Sequence, residues 1–201
     1  MEVKLLQYTP LEIADIAICK CYGNNPHEDL EKVKARINRV ANVAKHSSTV
    51  EHLSYSFDID GISRACLQEV ARHRLASYTV KSSRYTLQEL KTVKDEDIQN
   101  FCINISDDIN SINGLQLMTI RKLLLLGMAN DIAKYMLPEA YKTSLVMSIN
   151  ARALQNFLNL RTDSHALKEI QELARNMFEV LPQDHKFLFE GFVKGIFEDE
   201  D

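Results

Sequence analysis

The amino-acid sequence predicts an α+β fold in which helices dominate over one small antiparallel sheet. Residues 53–60 alternate apolar and polar side chains, a pattern typical of a half-buried strand. Residues 166–178 instead carry apolar side chains at i, i+3 and i+4, which predicts an amphipathic helix that ends before Pro182. Because a strand needs a hydrogen-bonded neighbour, we expect further strands in residues 1–8, in residues 75–90 or in a partner subunit.

The remaining helices are predicted from capping residues, prolines and apolar spacing. Thr9 and Pro10 suit the N-cap and the first position of a helix. Asn25 and Pro26 repeat this signal before a helix that runs to about Ala44. The strand should end at Gly61, and a helix is expected from there to about Arg72. Further helices are expected from Leu115 to Leu137, from Leu145 to about Leu160 and from Phe187 to Ile196. The chain should end in a solvated acidic tail at Glu198–Asp201.

Length and composition suit one compact domain that spans residues 1–201, with 45% hydrophobic and 26% charged residues. A net charge of −4 argues against a general nucleic-acid binder. The longest apolar run, residues 123–128, is too short for a bilayer, and residues 1–10 lack the apolar core of a signal peptide. The four cysteines form no CxxC pair, so neither a disulfide scaffold nor a metal site is expected. We therefore expect a cytoplasmic protein without membrane or nucleic-acid partners.

The densest basic stretch lies between Val70 and Gln88, where the sequence holds no acid. Guanidinium groups and serine hydroxyls in one short span suit a phosphate or another anion. These donors are Arg72, Arg74, Ser77, Ser82, Ser83 and Arg84, together with Lys81. A basic surface loop that is merely solvated is the alternative interpretation.

A second polar stretch, residues 150–165, lies on an expected helix. Arg152 and Asn156 are four residues apart and share one helix face, as do Gln155 and Asn159. Amides beside guanidinium groups suit the edge of a heteroaromatic ring with mixed donors and acceptors. Further along, Asp163 and Ser164 are expected to cap the next helix, whereas His165 is either structural or catalytic.

Some motifs of common cofactor sites are absent from the sequence. No GxGxxG follows a strand, so a dinucleotide-binding Rossmann unit is excluded, and no P-loop is present. His46, Glu51 and His52 lack the i, i+4 histidine pair of a helical zinc site, so a structural role is expected for them.

These stretches, in this order, resemble the signature of the flavin-dependent thymidylate synthases. The matching patterns are Arg72-His73-Arg74-x-x-Ser77-x-x-x-x-Ser82-x-Arg84 and Asn150-x-Arg152-x-x-x-Asn156-Phe157-Leu158-x-Leu160-Arg161-x-Asp163-Ser164-His165. The resemblance covers residues 46–85 and 133–175. It implies conversion of dUMP to dTMP, with methylenetetrahydrofolate as the carbon donor, FAD as the hydride carrier and NADPH as the reductant. It also implies a homotetramer whose active sites form between subunits.

Position by position, the resemblance implies a set of site residues. The FAD-binding residues would be Ser48, Arg72, His73, Arg74, Asn150, Arg152, Asn156, Leu160 and His165. The dUMP-binding residues would be Glu69, Ser82, Ser83, Arg84, Lys134 and Arg161, of which Arg161 would be catalytic and face the uracil. Departures from the family pattern stand at Glu69, Thr79, Val80 and Lys134, where the family often has Gln, Asn, an acid and Arg. The other hypothesis is a non-catalytic regulator that binds a nucleotide or RNA through the basic loop.

Overall fold

The structure is a computed structural model, and it describes residues 1–195. The chain divides into two compact units. Unit 1 contains Met1–Ile59, Val70–Tyr78 and the chain from Val146 onward, and unit 2 contains Asp60–Glu69 and Thr79–Leu145. The expected acidic tail, and Ile196 of the expected last helix, lie outside the described residues.

Four strands form one antiparallel sheet in the order β1-β2-β4-β3. They are β1 (Glu2–Tyr8), β2 (Ser54–Ser63), β3 (Ala76–Val80) and β4 (Lys142–Asn150). The alternation predicted for residues 53–60 is confirmed, because Tyr55, Phe57 and Ile59 are fully buried. The strands expected in residues 1–8 and 75–90 are confirmed as β1 and β3.

Helices make up most of the remaining chain. They are α1 (Glu12–Tyr22), α2 (Leu30–Ile37), α3 (Arg64–Val70), α4 (Ser83–Thr86), α5 (Glu89–Thr92), α6 (Asp107–Leu125), α7 (Asn130–Ala133), α8 (Ala151–Arg161) and α9 (Lys168–Glu179). A π-helical turn covers Asn38–Val43, and 3-10 turns cover Ser47–His52, Asp95–Phe101, Lys134–Met136, Lys186–Leu188 and Glu190–Phe192. The helix predicted for residues 166–178 is confirmed as α9.

The helix predicted from Leu145 is wrong in its first part. Residues 142–150 form β4, and α8 begins only at Ala151. Leu145, Met147 and Ile149 are buried and the residues between them are more exposed, which is the two-residue period of a strand. Since Val146 is apolar as well, Leu145–Met147 is a short apolar run whose periodicity does not distinguish a strand from a helix.

Two predicted helix starts are also wrong. The hydroxyl of Thr9 accepts a hydrogen bond from the Ser54 backbone N–H at 3.1 Å, and α1 begins at Glu12 without a side-chain cap. The cap of α2 is Asp29, whose carboxylate accepts from the Lys32 N–H at 3.0 Å, and not Asn25. For α1, a tertiary contact uses the Thr9 hydroxyl that was expected to cap the helix. For α2, the Asp29 carboxylate is a better acceptor than the expected cap.

Unit 2 contains the elements that the sequence predicts least well. The helix expected from Leu115 to Leu137 begins earlier, at Asp107, where Ser106 caps it, and ends at Leu125. Gly127 follows with a φ of 95°, a conformation that glycine adopts without steric cost. The strand β2 also runs two residues past Gly61, which has a φ of 76° inside it. Within residues 1–195, no helix has the length and apolar character needed to cross a membrane.

Candidate active site

Unit 1 contains a cavity of about 950 Å³, within the size range of ligand pockets. Both sequence stretches with unusual polar residues contribute to its wall. The predicted site residues that line it are Arg72, His73, Arg74, Asn150, Arg152, Asn156, Leu160 and Arg161. Residues of both stretches therefore line one cavity within unit 1 of a single chain.

Helix α8 presents its polar face to this cavity because its other face is buried. Leu154, Phe157 and Leu158 are inaccessible to solvent, whereas Arg152 and Asn156 on the opposite face are exposed. The carboxamide oxygen of Asn150 caps the helix by accepting from the Ala153 N–H at 2.9 Å. Gln155 has a structural role instead, since its side-chain amide donates to the Leu188 carbonyl at 2.8 Å.

Arg161 and His73 form a direct polar contact between the two stretches. The Nε of Arg161 donates to Nε2 of His73 at 2.9 Å, so the ring proton of a neutral His73 lies on Nδ1. His73 is 9% exposed, and its ring packs on Phe157 with 4.6 Å between centroids. Tyr78 donates its hydroxyl proton to the His73 carbonyl at 2.6 Å, and burial raises the pKa of that hydroxyl. The orientation of the Arg161 guanidinium is thus fixed by a buried, packed partner.

The cavity wall is strongly cationic. Five cationic side chains line it, whereas Glu51 is the single acid among the described lining residues. Nη1 of Arg152 lies 2.7 Å from a carboxylate oxygen of Glu51, and both side chains are about half exposed, so this ion pair adds little stability. The remaining positive potential favours an anionic ligand such as a nucleotide phosphate.

Two predicted flavin-binding residues, Ser48 and His165, do not line this cavity. Ser48 is exposed and borders a separate hollow of unit 1, also bordered by Glu51 and Asn150. The His165 side chain is 95% exposed, and its Nδ1 lies 2.9 Å from Asp163.

Asp163 does not cap α9 as predicted, because its carboxylate accepts from the Lys194 ammonium and from the His165 N–H. These bonds, that of Lys194 foremost, hold the pKa of Asp163 well below its usual range.

Unit 2 contains a second cavity of about 280 Å³, and three predicted dUMP-binding residues line it: Ser82, Ser83 and Lys134. Ser82 immediately precedes α4, and its carbonyl accepts from the Thr86 N–H at 3.1 Å. Arg84 is exposed outside this lining, and its carbonyl accepts from the Asn130 side chain at 2.8 Å. Glu69 lines neither cavity.

Comparisons with known proteins agree on one family. The family model described as thymidylate synthase complementing protein matches residues 4–185. The flavin-dependent thymidylate synthase of Wolinella succinogenes is 49% identical over 198 residues, which cover 94% of this chain and 97% of that protein. This chain belongs to the flavin-dependent thymidylate synthase family.

A solved structure of a relative matches this family member over nearly its whole length. The crystal structure of thymidylate synthase X from Helicobacter pylori, with FAD and dUMP, has a TM-score of 0.91 against this chain. It is 47% identical and covers 96% of this chain and 100% of its own. The flavin-dependent thymidylate synthase of Campylobacter jejuni is 49% identical over 201 residues.

Several residues that line the cavity were missed from the sequence, among them Lys45, Ser47, Leu75 and Phe192. Leu75 directly follows the Arg-His-Arg triplet and is 76% exposed, and an apolar side chain inside a polar stretch was a usable signal. Lys45 has a φ of 60°, which no sequence pattern indicated. Within residues 1–195, no group of three or more His, Cys, Asp or Glu side chains is arranged to hold a metal ion.

Proposed function

We propose that this chain synthesises dTMP from dUMP in a flavin-dependent reaction, with FAD bound in the cavity of unit 1. The observation that carries the proposal is the cationic cavity, into which the Arg72–Arg74 triplet and helix α8 both project. Family membership and the relatives' names support the same reaction, and they give no support to the alternative of a non-catalytic binding module.

The residues of unit 1 fit a flavin dinucleotide. The cavity is large enough, and its arginines match a pyrophosphate, while amide and guanidinium donors match the polar edge of an isoalloxazine. We propose that Arg72 and Arg74 hold the phosphates and that Asn150, Arg152 and Asn156 contact the rest of the cofactor. The bound flavin supplies hydride transfer, which no side chain of the protein can carry out.

Arg161 is the residue to which we assign catalysis. Uracil accepts hydride only when electron density is withdrawn from its ring. A guanidinium beside the uracil carbonyl oxygens stabilises the negative charge that develops, and it acts best when it is oriented beforehand. The hydrogen bond to His73, at 2.9 Å, supplies that orientation.

Substrate binding is proposed for Glu69, Ser82, Ser83, Arg84 and Lys134, with the phosphate near the serines. Arg161 lines the cavity of unit 1, whereas Ser82, Ser83 and Lys134 line that of unit 2. The family resemblance supports the proposal that complete active sites form between subunits of a homotetramer. We also propose that methylenetetrahydrofolate donates the carbon, that NADPH is the reductant and that the protein is cytoplasmic. The four free cysteines suit a reducing compartment.

The test is an activity assay of the purified full-length chain. We expect a yellow protein that forms dTMP from dUMP when FAD, methylenetetrahydrofolate and NADPH are present. Omission of each component in turn identifies the carbon donor and the reductant. A colourless protein that forms no dTMP with added FAD but retards RNA at moderate salt would instead establish the regulator.

A further inference from the structure

The cavity of unit 1 has an aromatic side chain in its wall, and this side chain comes from the last described turn of the protein. Phe192 lines the cavity and is partly exposed. It is the one Phe, Tyr or Trp among the described lining residues, most of which carry a cation or an amide. Leu75 and Leu160 line the same cavity and are at least half exposed. A phosphate chain gains nothing from these apolar groups, whereas a flat aromatic ring does.

The segment Glu190–Lys194, which carries Phe192, is attached to the end of α8 through Thr162. The Lys194 backbone N–H donates to the Thr162 hydroxyl oxygen at 2.9 Å. The same hydroxyl donates its proton to the Leu158 carbonyl at 2.7 Å. Thr162 is buried, so water cannot readily replace either bond. Thr162 therefore joins the C-terminal end of α8 to the segment that supplies Phe192.

Buried residues on both sides of Phe192 hold the backbone that carries it. Val193, the next residue, is buried. Phe189 is fully buried, and its ring centroid lies 5.5 Å from that of Tyr55. The Phe192 backbone N–H donates to the Phe189 carbonyl at 2.8 Å. The core of unit 1 thus fixes the chain at this point, and only the side chain of Phe192 is left to face the cavity.

We propose that Phe192 is a ligand-binding residue that packs against a flat ring of the bound FAD, and that Thr162 is the positioning residue that keeps it there. FAD has two such rings, isoalloxazine and adenine, and each offers a face to an aromatic side chain. This inference rests on the proposed function and adds two residues to which the family resemblance gave no role. Phe192 lies after residue 185, where the match to the family model ends.

Titration of the flavin-free full-length protein with FAD, followed by flavin fluorescence, tests the role of Phe192. Phe192→Ala is expected to raise the Kd for FAD roughly tenfold, because the ring loses its aromatic contact. Phe192→Tyr keeps a flat ring and should retain most of the affinity. A Kd in Phe192→Ala that equals that of the unsubstituted protein would overturn the proposal.

Competition experiments with FMN and with ADP identify which ring Phe192 contacts. FMN carries the isoalloxazine without the adenine, and ADP carries the adenine without the isoalloxazine. A raised inhibition constant for FMN in Phe192→Ala assigns the contact to the isoalloxazine, and a raised constant for ADP assigns it to the adenine. Unchanged constants for both, with a normal Kd for FAD, would exclude Phe192 from the site.

A double-mutant cycle tests whether Thr162 acts through Phe192. Thr162→Val keeps the shape of the side chain but loses both hydrogen bonds, and should raise the Kd for FAD about threefold to tenfold. Thr162→Ser keeps the hydroxyl and should restore the affinity. Thr162→Val should have no further effect when Phe192 is already alanine. Full additivity of the two substitutions, or equal effects of Thr162→Val and Thr162→Ser, would contradict the positioning role.

Lys194→Gln is the matched control for the same segment. It removes the partly exposed ion pair of Lys194 with Asp163 but keeps the backbone bond to Thr162, so the Kd for FAD should stay the same. A protein that binds FAD and forms dTMP, but whose Kd for FAD is unchanged in Phe192→Ala, refutes this inference and leaves the proposed function standing. A protein that binds no FAD contradicts the proposed function itself.

Discussion

The Arg161 side chain donates a hydrogen bond of 2.9 Å to Nε2 of His73, and the two residues are 88 positions apart in the sequence. This contact joins the C-terminal end of α8 to the Arg-His-Arg triplet inside unit 1. The ring of His73 in turn packs on Phe157, and the Tyr78 hydroxyl donates to the backbone carbonyl of His73. The guanidinium to which we assign catalysis is thus oriented before any substrate binds.

Arg161→Ala should abolish dTMP formation while FAD remains bound. The substitution removes the charge that we assign to the uracil carbonyls, and a loss of roughly 100-fold or more in kcat is expected. Activity assays and the flavin absorbance of the purified variant measure the two properties separately. Arg39→Ala, an exposed arginine of unit 1 outside the cavity, is the control. Normal turnover in Arg161→Ala would remove this residue from the mechanism.

His73→Leu should lower kcat because Arg161 loses the acceptor that orients it. His73→Gln offers an amide oxygen as an acceptor and should retain part of the activity, whereas leucine cannot. Both variants keep a side chain that can pack near Phe157. Their melting temperatures should therefore show whether a lower kcat reflects lost stability of the fold or lost orientation of Arg161. Equal kcat values for the two variants, at matched flavin content, would contradict the positioning role.

Arg84→Ala should raise the KM for dUMP with little change in thermal stability. The side chain is exposed and no hydrogen bond of it is seen in residues 1–195, so its loss costs the folded chain little. We expect an increase of roughly tenfold, the usual effect of losing one charge-assisted contact to a phosphate. The KM for dUMP and the melting temperature are the two measurements. An unchanged KM would exclude Arg84 from phosphate binding.

Unit 1 should lose stability as the pH falls below about 6.5, the ordinary pKa of histidine. His185 is 1% exposed, and burial lowers its pKa, although Asp184 and Glu12 oppose this shift. The unfolded chain therefore binds a proton at a higher pH than the folded chain, so stability is complete above 6.5 and declines below it. Nδ1 of His185 lies 2.7 Å from the Tyr55 hydroxyl, within hydrogen-bond distance.

Urea unfolding between pH 5 and pH 8 measures this dependence. His185→Gln should lower the free energy of unfolding at pH 8 and flatten its change with pH. His52→Gln, which replaces an exposed histidine, should leave the slope as it is. The same slope in His185→Gln as in the unsubstituted protein would assign the acid sensitivity to another group.

Elements with a clear local period were predictable from the sequence. Strand β2 and helix α9 were predicted because alternation and helical spacing depend only on near neighbours. The region of β4 was assigned wrongly, since the short apolar run from Leu145 to Met147 fits a buried strand as well as a helix. Thr9 failed as a cap because Ser54, far along the chain, takes its hydroxyl oxygen.

By itself, the sequence determined the chemistry that is available: arginines, amides and hydroxyls in two stretches, and the family that carries this pattern. The tertiary structure decided which of these groups share a cavity. It buried His73 against α8, left His165 in solvent and brought Arg64 and Tyr141 to the wall beside Ser82. The physical reason is that residue types and their local spacing can be read along the chain. Burial, unpartnered donors and shared cavities arise only when distant segments pack together.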